Sequence, residues 1–266
     1  MNTDHATLVY FSPTGTTRKI LEGFCRGFQP STACHIDLTP PQTESEQFVI
    51  EPDCLAIIGV PVYAGRVPAT AAQRLRRLKA HKIPAAIMVV YGNRAYEDAL
   101  LELSALVQEA GFIPVAAGAF IGEHSYSTST TPIAVGRPDA QDLEQAKDFG
   151  AMVREKLSRT QSLEAFAPLT LPGNFPYKEA IVWPDMSPTM REDLCNLCGI
   201  CAAACPTSAI TVDEAVLTDK KQCLRCCTCV KSCPLGARIM EEPLIKEIAQ
   251  WLSETFKERK EPEIFI

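Results

Sequence analysis

The sequence has no long hydrophobic run, no excess of positive charge and no Gly-x-Gly-x-x-Gly motif, and each absence argues against a class of protein. The longest apolar runs, Cys54 to Gly65 and Ile83 to Val90, are shorter than the roughly 20 residues of a membrane-spanning helix. The formal net charge of −6 argues against nucleic-acid binding. Direct oxidation of a nicotinamide nucleotide is not expected. Thr7 to Phe11 already has the pattern of a buried strand, so we expect no signal sequence.

Cysteine is abundant, and its placement is uneven. Nine of the twelve cysteines lie between Cys195 and Cys233, while Cys25, Cys34 and Cys54 are scattered. Cysteines concentrated in this way favour metal binding in a reducing compartment over a disulfide framework. We therefore predict a cytoplasmic protein. With 266 residues, 46% of them hydrophobic, the chain is long enough for one ordinary domain and a smaller one.

Two cysteine runs of identical spacing occupy this segment. Cys195-x2-Cys198-x2-Cys201-x3-Cys205 is followed by proline, and the same pattern starts again at Cys223, 28 residues later (223 − 195 = 28). Three thiolates at two-residue gaps can wrap three irons of a cubane, so the fourth ligand must come from elsewhere. A zinc site, which usually pairs two arms of ligands, and a disulfide scaffold, which needs an oxidising compartment, are the less favoured alternatives.

The two runs resemble the motifs of the bacterial two-cluster ferredoxins, in which the last cysteine of each run binds the cluster of the other run. The resemblance implies two [4Fe-4S] clusters, one held by Cys195, Cys198, Cys201 and Cys233, the other by Cys223, Cys226, Cys229 and Cys205. Cys227 fits neither set, because a frame that uses it breaks the two-residue spacing. We expect it to be a spare thiol near the second cluster.

The first half of the chain alternates apolar runs with helical patterns. The candidate strands are Thr7 to Phe11, Ala33 to Leu38, Leu55 to Val60, Ala86 to Tyr91 and Ile113 to Ile121, and the candidate helices are Thr17 to Phe28, Ala69 to Ala80, Tyr96 to Ala110 and Pro138 to Lys156. Continuously apolar strands between helices predict an α/β fold with a doubly wound, five-stranded parallel sheet. Such a sheet binds its ligand beyond the carboxyl ends of its strands.

Three loops at these carboxyl ends have suitable residues for a ligand. The first, Ser12-Pro13-Thr14-Gly15-Thr16-Thr17, leads into a helix, where hydroxyls and unpaired N–H groups favour a phosphate. It lacks the Gly-Lys pair of a nucleoside-triphosphate loop. The others are Pro61 to Pro68 and Tyr91 to Tyr96. An ordinary capped turn is the alternative for the first loop, and surface tyrosines and solvated arginines are the alternatives for the other two.

These loops resemble the FMN site of the flavodoxins, whose phosphate loop has the same Ser/Thr-x-Thr-Gly-x-Thr form. The resemblance implies non-covalent FMN, with its phosphate on Ser12 to Thr17 and its ring between the other two loops. The implied ring contacts are Pro61, Tyr63, Ala64, Gly65 and Arg66 from one loop and Gly92, Asn93, Arg94 and Tyr96 from the other, with Tyr63 and Tyr96 as stacking candidates.

The remaining segments complete the predicted organisation. Residues 1–160 form the flavodoxin-like domain, 161–187 a proline-rich and aromatic linker along it, 188–241 a smaller α+β two-cluster ferredoxin domain, and 242–266 a packing helix and tail. The polar loop Gly122 to Thr130 is expected to cap the flavin or receive a redox partner, with His124 in solvent.

Charge is segregated between the two cysteine runs. Lys220, Lys221, Arg225, Lys231 and Arg238 lie around the second run, against Asp219, and Glu192, Asp193, Asp213 and Glu214 around the first, against Arg191. Because cations favour the addition of an electron, the second cluster is predicted to have the higher potential. This basic collar is also predicted to attract an acidic redox partner, unless its members form ion pairs within the chain.

The whole chain resembles the flavodoxin-ferredoxin fusion proteins. This resemblance implies an electron carrier that couples FMN to two one-electron clusters and exchanges electrons with redox proteins. We find no strong acid-base constellation, so an electron carrier is favoured over a substrate-transforming enzyme. The alternatives are a flavin-dependent reductase of a small acceptor, fed through the clusters, and a redox sensor.

Overall fold

The computed structural model describes residues 4–44, 46–160 and 162–266. The strands are β1 (His5–Tyr10), β2 (Thr32–Asp37), β3 (Phe48–Val49), β4 (Cys54–Pro61), β5 (Leu78–Lys79), β6 (Ile83–Tyr91), β7 (Phe112–Ile121), β8 (Thr189–Met190), β9 (Ile210–Val212), β10 (Val216–Thr218), β11 (Arg238–Ile239) and β12 (Glu263–Phe265). The α-helices are α1 (Thr16–Phe28), α2 (Ala69–Leu75), α3 (Ala99–Glu109), α4 (Ala140–Arg159), α5 (Ile200–Ala203), α6 (Thr228–Lys231) and α7 (Pro243–Thr255). Two short 3-10 helices cover Pro41–Glu44 and Leu163–Ala165.

The main sheet has the order β12-β7-β6-β4-β1-β2. Its first five strands in sequence, β1, β2, β4, β6 and β7, pair in parallel. Counted among themselves they follow the order 2-1-3-4-5, which is the flavodoxin-like order. The predicted doubly wound parallel sheet is therefore confirmed.

Both faces of this sheet are buried, as its continuously apolar strands predict. One apolar cluster joins the sheet to α2 and α3, and the other joins it to α1 and α4. Helices α1 and α4 pack so closely that a Cβ on Gly27 would lie 1.7 Å from the Lys147 carbonyl oxygen. Glycine is required at this crossing because no side chain fits between the two backbones.

Three elements differ from the sequence expectation. Helix α2 ends at Leu75 because the next residues turn into β5, which pairs in parallel with β3. Helix α3 begins at Ala99, because Glu97 has a φ of 45° and the Asp98 side chain accepts hydrogen bonds from outside the helix. The C-terminal tail adds a sixth strand, β12, which pairs antiparallel with β7.

The segment that follows α4 lies along the α/β domain. Leu169 and Leu171 pack on the core next to α3, and Asp98 accepts hydrogen bonds from the backbone N–H groups of Asn174 (2.9 Å) and Lys178 (2.7 Å). These donors hold the pKa of Asp98 below its usual value, the Lys178 amide most of all. The predicted aromatic anchoring is only partial, since the Phe175 side chain is 81% exposed.

The cysteine-rich segment is built from one short hairpin, a second antiparallel strand pair formed by its two ends, and two single-turn helices. β8 pairs with β11 and β9 pairs with β10, both antiparallel. Helix α5 lies within the first cysteine run and α6 within the second. Helix α7 then packs through Ala249 and Leu252 on Ile133 of the loop after β7. In the described part of the chain, no helix is both long and apolar enough to cross a membrane.

Candidate iron–sulfur and flavin sites

The first cavity lies among the thiols of Cys195, Cys198, Cys201 and Cys233, with about 350 Å³ of empty space that is partly open to solvent. These four cysteines are the set implied by the ferredoxin resemblance. Cys201 is buried, whereas Cys198 is exposed. This cavity therefore reaches the surface of the molecule.

The second cavity lies among Cys205, Cys223, Cys226 and Cys229, with about 310 Å³ of empty space. Three of these thiols are buried, and Cys223 is half-buried. Cys227 also lines this cavity and is 2% exposed. Its thiol donates to the Arg225 carbonyl oxygen at 3.7 Å.

The donor set of each cavity fits an iron–sulfur cluster, because each is lined by the four cysteines that the resemblance assigns to it, and thiolates are the ligands of [4Fe-4S] clusters. In residues 4–44, 46–160 and 162–266, no three His, Cys, Asp or Glu side chains are grouped to hold one metal ion. All twelve cysteines are described and none is in a disulfide.

The thiols differ in how readily they lose their protons to a metal. Burial raises the pKa of Cys226 to about 12, so metal binding there must displace a tightly held proton. Burial also opposes ionisation of Cys233, but backbone N–H groups of the following loop, including Ala237 at 3.2 Å, lower its pKa. The Cys233 thiolate is therefore stabilised by its own loop before any ligand binds.

The second cavity lies against the carboxyl edge of the main sheet. The Thr228 hydroxyl, one residue before Cys229, donates to the Pro13 carbonyl at 2.5 Å. The buried Arg74 guanidinium donates to the Pro206 carbonyl at 2.6 Å, next to Cys205. The cysteine-rich segment is thus attached to the loops where the sequence predicts a flavin.

The Ser12 to Thr17 loop has a buried hydroxyl without a hydrogen-bond partner among the described residues. Gly15 has a φ of 80°, and a Cβ built on it would meet no other atom within 4 Å, so the space beside it is open. The Ser12 hydroxyl accepts from the Arg18 amide. Thr17 is 1% exposed, and its Oγ1 has no hydrogen-bond partner among the described residues. An orphaned buried hydroxyl beside open space at a helix N-terminus fits a phosphate.

The loop after β4 forms a tight turn that carries Tyr63. Tyr63 and Arg66 exchange backbone hydrogen bonds of 3.0 and 3.1 Å, and Ala64 and Gly65 between them have φ values of 52° and 84°. Gly65 is required there, because a Cβ would lie 2.1 Å from the Glu97 carboxylate. Burial, followed by the nearby Cys226 thiol, raises the pKa of Tyr63 well above its ordinary value. The Tyr63 hydroxyl is therefore within electrostatic range of the Cys226 thiol.

The structure directs two predicted ring contacts elsewhere. Tyr96 is 7% exposed in the core, and its hydroxyl donates to Glu263 of β12 at 2.8 Å. Arg66 makes a two-bond ion pair with Glu102 (2.7 and 2.8 Å) and also donates to the Lys178 carbonyl. Tyr96 thus holds the C-terminal tail, and Arg66 holds the linker. Sequence patterns near either residue do not reveal these distant partners.

The loop after β6 is engaged in the same way. The Asn93 side-chain amide donates to the carbonyls of Phe256 and Glu258, both at 2.8 Å. Arg94 pairs with Glu97 at 2.5 Å. The predicted cofactor contacts of Gly92, Asn93 and Arg94 are thus restricted to their backbone, since the two polar side chains have other partners.

His124 is half-buried, so its ring is less exposed than the sequence expectation of a solvated histidine. Its ring lies against Gly92, where an added Cβ would come within 2.3 Å of it, and its Nδ1 accepts from the Tyr126 amide at 3.1 Å. Burial, with smaller contributions from Lys231 and Arg94, lowers the pKa of His124 to about 4. The imidazole is therefore neutral near pH 7.

The lowered pKa of this half-buried histidine predicts that the fold is less stable in acid. In the unfolded chain the His124 imidazole is protonated below about pH 6.5, whereas in the folded chain it is protonated only below about pH 4. Stability should therefore fall as the pH drops below about 6.5, by at most about 3 kcal/mol from this group. Urea unfolding of His124→Asn between pH 7.5 and 5.5 should show a shallower dependence than wild type. An exposed-site control, His81→Asn, should retain the wild-type slope, and equal slopes in all three proteins would contradict the prediction.

The predicted basic collar is largely engaged within the chain. Lys231 pairs with Glu123 at 2.7 Å and Lys220 with Glu242 at 3.7 Å. The Arg225 guanidinium lies over the Trp183 ring, 5.4 Å from its centroid. The alternative of internal ion pairs thus holds for two of the lysines. Arg238 differs from the others because it is buried at 3% exposure.

Sequence reasoning missed the residues that attach the two parts of the chain. Arg74, Thr228 and the Lys231–Glu123 pair carry no motif, and their partners are distant in sequence. Arg238 had a usable signal. It stands 28 residues after Ile210 (238 − 210 = 28), which is the offset of the cysteine runs, so an arginine replaces the isoleucine of the first run.

Comparison with known proteins separates the two parts of the chain. Residues 188–211, which include the first cysteine run, match the 4Fe-4S binding domain family. A search of the curated proteins finds no match.

Several solved structures resemble a little over half of the chain. A flavodoxin from the domain Archaea is 14% identical, with a TM-score of 0.36, over 58% of this chain and 99% of its own. A WrbA-like flavodoxin from Agrobacterium tumefaciens is 15% identical, with a TM-score of 0.39, over 59% and 99%. The rubredoxin oxygen:oxidoreductase of the anaerobe Desulfovibrio gigas is 15% identical, with a TM-score of 0.41, over 59% of this chain and 36% of its own. The strand order, and not these similarities, identifies the flavodoxin-like fold.

Proposed function

We propose that this chain, which joins a flavodoxin-like α/β domain to a 4Fe-4S ferredoxin domain, transfers electrons between redox proteins through two [4Fe-4S] clusters and FMN. The observation that carries the proposal is the position of the second cavity. Its Thr228 is hydrogen-bonded to Pro13 of the candidate phosphate loop, and Leu224 of its lining packs against the core of the α/β domain. A second cluster in this cavity would lie beside a flavin bound at the sheet edge.

The ligands of the clusters would be the two groups of four thiols that line the cavities. When bound, each cluster accepts one electron and FMN accepts up to two, so the chain would store up to four and connect one-electron with two-electron partners. The chain's contribution is to fix the cavities relative to the sheet edge. Arg74 does so most directly, because its buried guanidinium holds the residue next to Cys205.

The flavin would place its phosphate on the Ser12 to Thr17 loop. The orphaned Thr17 hydroxyl and the open space beside Gly15 support a terminal phosphate there. Tyr63 is the remaining stacking candidate, since Tyr96 is committed to the core. Backbone groups around Ala64, Gly65 and Gly92 would bind the edge of the ring.

Partners would exchange electrons at the first cavity. Its lining includes the exposed Cys198 together with Leu197, Ile200 and Leu235, whose side chains are 40%, 42% and 47% exposed. The second cavity faces the α/β domain instead. An apolar patch around a partly open cavity suits close approach of another redox protein.

Anaerobic purification tests this proposal directly. We expect about eight irons and about eight sulfides per chain, the content of two four-iron clusters, and one flavin that runs as FMN after acid release. A flavin that runs as FAD would contradict the phosphate assignment. Sustained turnover with a quinone as the only acceptor would favour the alternative function, a flavin-dependent reductase.

The Thr17→Val variant separates phosphate binding from ring binding. Valine keeps the shape of threonine and removes a hydroxyl that has no partner in the described chain. Because a hydrogen bond to a charged group contributes roughly 1.5–3 kcal/mol, the affinity for FMN should fall about 10- to 100-fold.

Riboflavin, which lacks the phosphate, is the matched control ligand for this variant. Its affinity should be the same for Thr17→Val and wild type, as measured by fluorescence quenching during titration of flavin-free protein. An equal loss for both flavins would show that Thr17 acts on the ring or the fold.

A further inference from the structure

Arg238 occupies a special position between the two cavities. It is the one described residue that lines both of them. Its Nη2 lies 3.8 Å from the Cys229 thiol and 3.1 Å from the Thr218 hydroxyl. Its Nε is buried and has no hydrogen-bond partner in the described residues.

No carboxylate of the described residues forms an ion pair with Arg238, although its side chain is almost completely buried. Burying an unpaired guanidinium costs much free energy, so such a group is expected only where a bound group supplies a negative charge. The thiolates and sulfides of iron–sulfur clusters in the two cavities would supply that charge.

The internal repeat shows that the fold does not need an arginine at this position. The equivalent residue after the first cysteine run is Ile210, which is 6% exposed and packs with Cys201, Cys205 and Cys229. Both residues follow the sequence Cys-Pro-x-x-Ala. The arginine therefore breaks a repeat in which an apolar side chain suffices.

We propose that Arg238 is the shared counter-charge of the two clusters, which makes both easier to reduce and favours the second cluster most. The proposal rests on the two-cluster function proposed above. Each added electron makes a cluster more negative, and a cation in a poorly solvated site stabilises that charge more than an exposed one does. The effect is larger at the second cavity because the guanidinium there also donates to the Cys229 sulfur.

This assignment differs from the effect expected of the basic collar. Lys220 and Lys231 are paired with carboxylates, and exposed charges are screened by salt. A buried Arg238 would act on the potentials at high ionic strength as well. Measuring the reduction potentials at low and high salt therefore distinguishes the effect of Arg238 from that of the collar lysines.

The test compares the intact chain with three substitutions at Arg238. Arg238→Ile copies the residue of the first run, Arg238→Gln keeps a hydrogen-bond donor without the charge, and Arg238→Lys keeps the charge without the planar fork. Lys221→Gln removes an exposed collar lysine as the control. Each protein is first shown to contain about eight irons, then reduced stepwise and followed by electron paramagnetic resonance at low and high salt.

Arg238→Ile and Arg238→Gln should lower the equilibrium constant for reduction of the second cluster at least tenfold, or 59 mV for a one-electron couple, and that of the first cluster by less. Both shifts should persist at high salt. Arg238→Lys should restore part of the loss, and Lys221→Gln should have an effect only at low salt.

Unchanged potentials in an iron-loaded Arg238→Gln protein would show that Arg238 only fills space, even if Arg238→Ile fails to assemble. A shift confined to the first cluster would exclude the role of the Cys229 contact. Wild-type protein with fewer than two clusters would instead overturn the proposed function itself.

Discussion

Replacing Cys226 with alanine is expected to lower the iron content of the anaerobically purified chain from about eight atoms to about four. Cys226 lines the second cavity and is 7% exposed, and the spare thiol of Cys227 is directed to the Arg225 carbonyl. A three-thiolate site binds a four-iron cluster poorly. The electron paramagnetic resonance spectrum of the reduced protein should lose the signal of one cluster.

The neighbouring thiol provides a matched control. Cys227 also lines the cavity, but its thiol is directed to the Arg225 carbonyl, and Cys227→Ala should retain about eight irons. Cys198→Ala should lose the iron of the first cavity while keeping the second. If Cys227→Ala loses half of the iron and Cys226→Ala loses none, the assignment of the ligand frame is wrong.

Replacing Arg74 with methionine is expected to destabilise the whole chain by roughly 3–5 kcal/mol. Arg74 is fully buried, and its guanidinium donates to the carbonyls of Leu38 (2.8 Å), Thr39 (2.7 Å) and Pro206 (2.6 Å). Methionine fills much of the space but removes all three of these hydrogen bonds. The urea midpoint of the cluster-loaded chain should fall, and release of iron should accompany the first transition.

An exposed arginine on the same helix end serves as the control. Arg76 is 59% exposed in its side chain and lies 3.9 Å from Glu109, so Arg76→Met should change stability by no more than about 0.5 kcal/mol. Equal midpoints for Arg74→Met and wild type would show that the Pro206 contact does not hold the two parts together.

The five parallel strands could be predicted because a strand buried on both faces is apolar throughout, as β4 and β6 are. The sixth strand could not. Glu263–Phe265 is short, and its pairing with β7 joins segments that are far apart in sequence. Local patterns describe an element, whereas an edge pairing depends on where the chain returns.

The cysteine sites could be predicted from the sequence more completely than the flavin site. Cysteine spacing determines which thiols share a loop, and the structure groups the thiols around two cavities. The flavin loops were located by their position after strands. The directions of Arg66 and Tyr96 were not predictable, because the linker and the tail supply their partners.

The hydrogen-bonded linker and the paired tail together make the cysteine-rich segment an insertion with two fixed ends. Before the segment, Asp98 holds the backbone of Asn174 and Lys178. After it, Glu263–Phe265 pairs with β7. A module on a single flexible tether searches for its docking site, at an effective concentration set by the length of the tether. A module whose two ends are both bound to the same α/β domain does not need to search for its site. The contacts at Pro13 and Pro206 can therefore be weak individually and still hold the module in place.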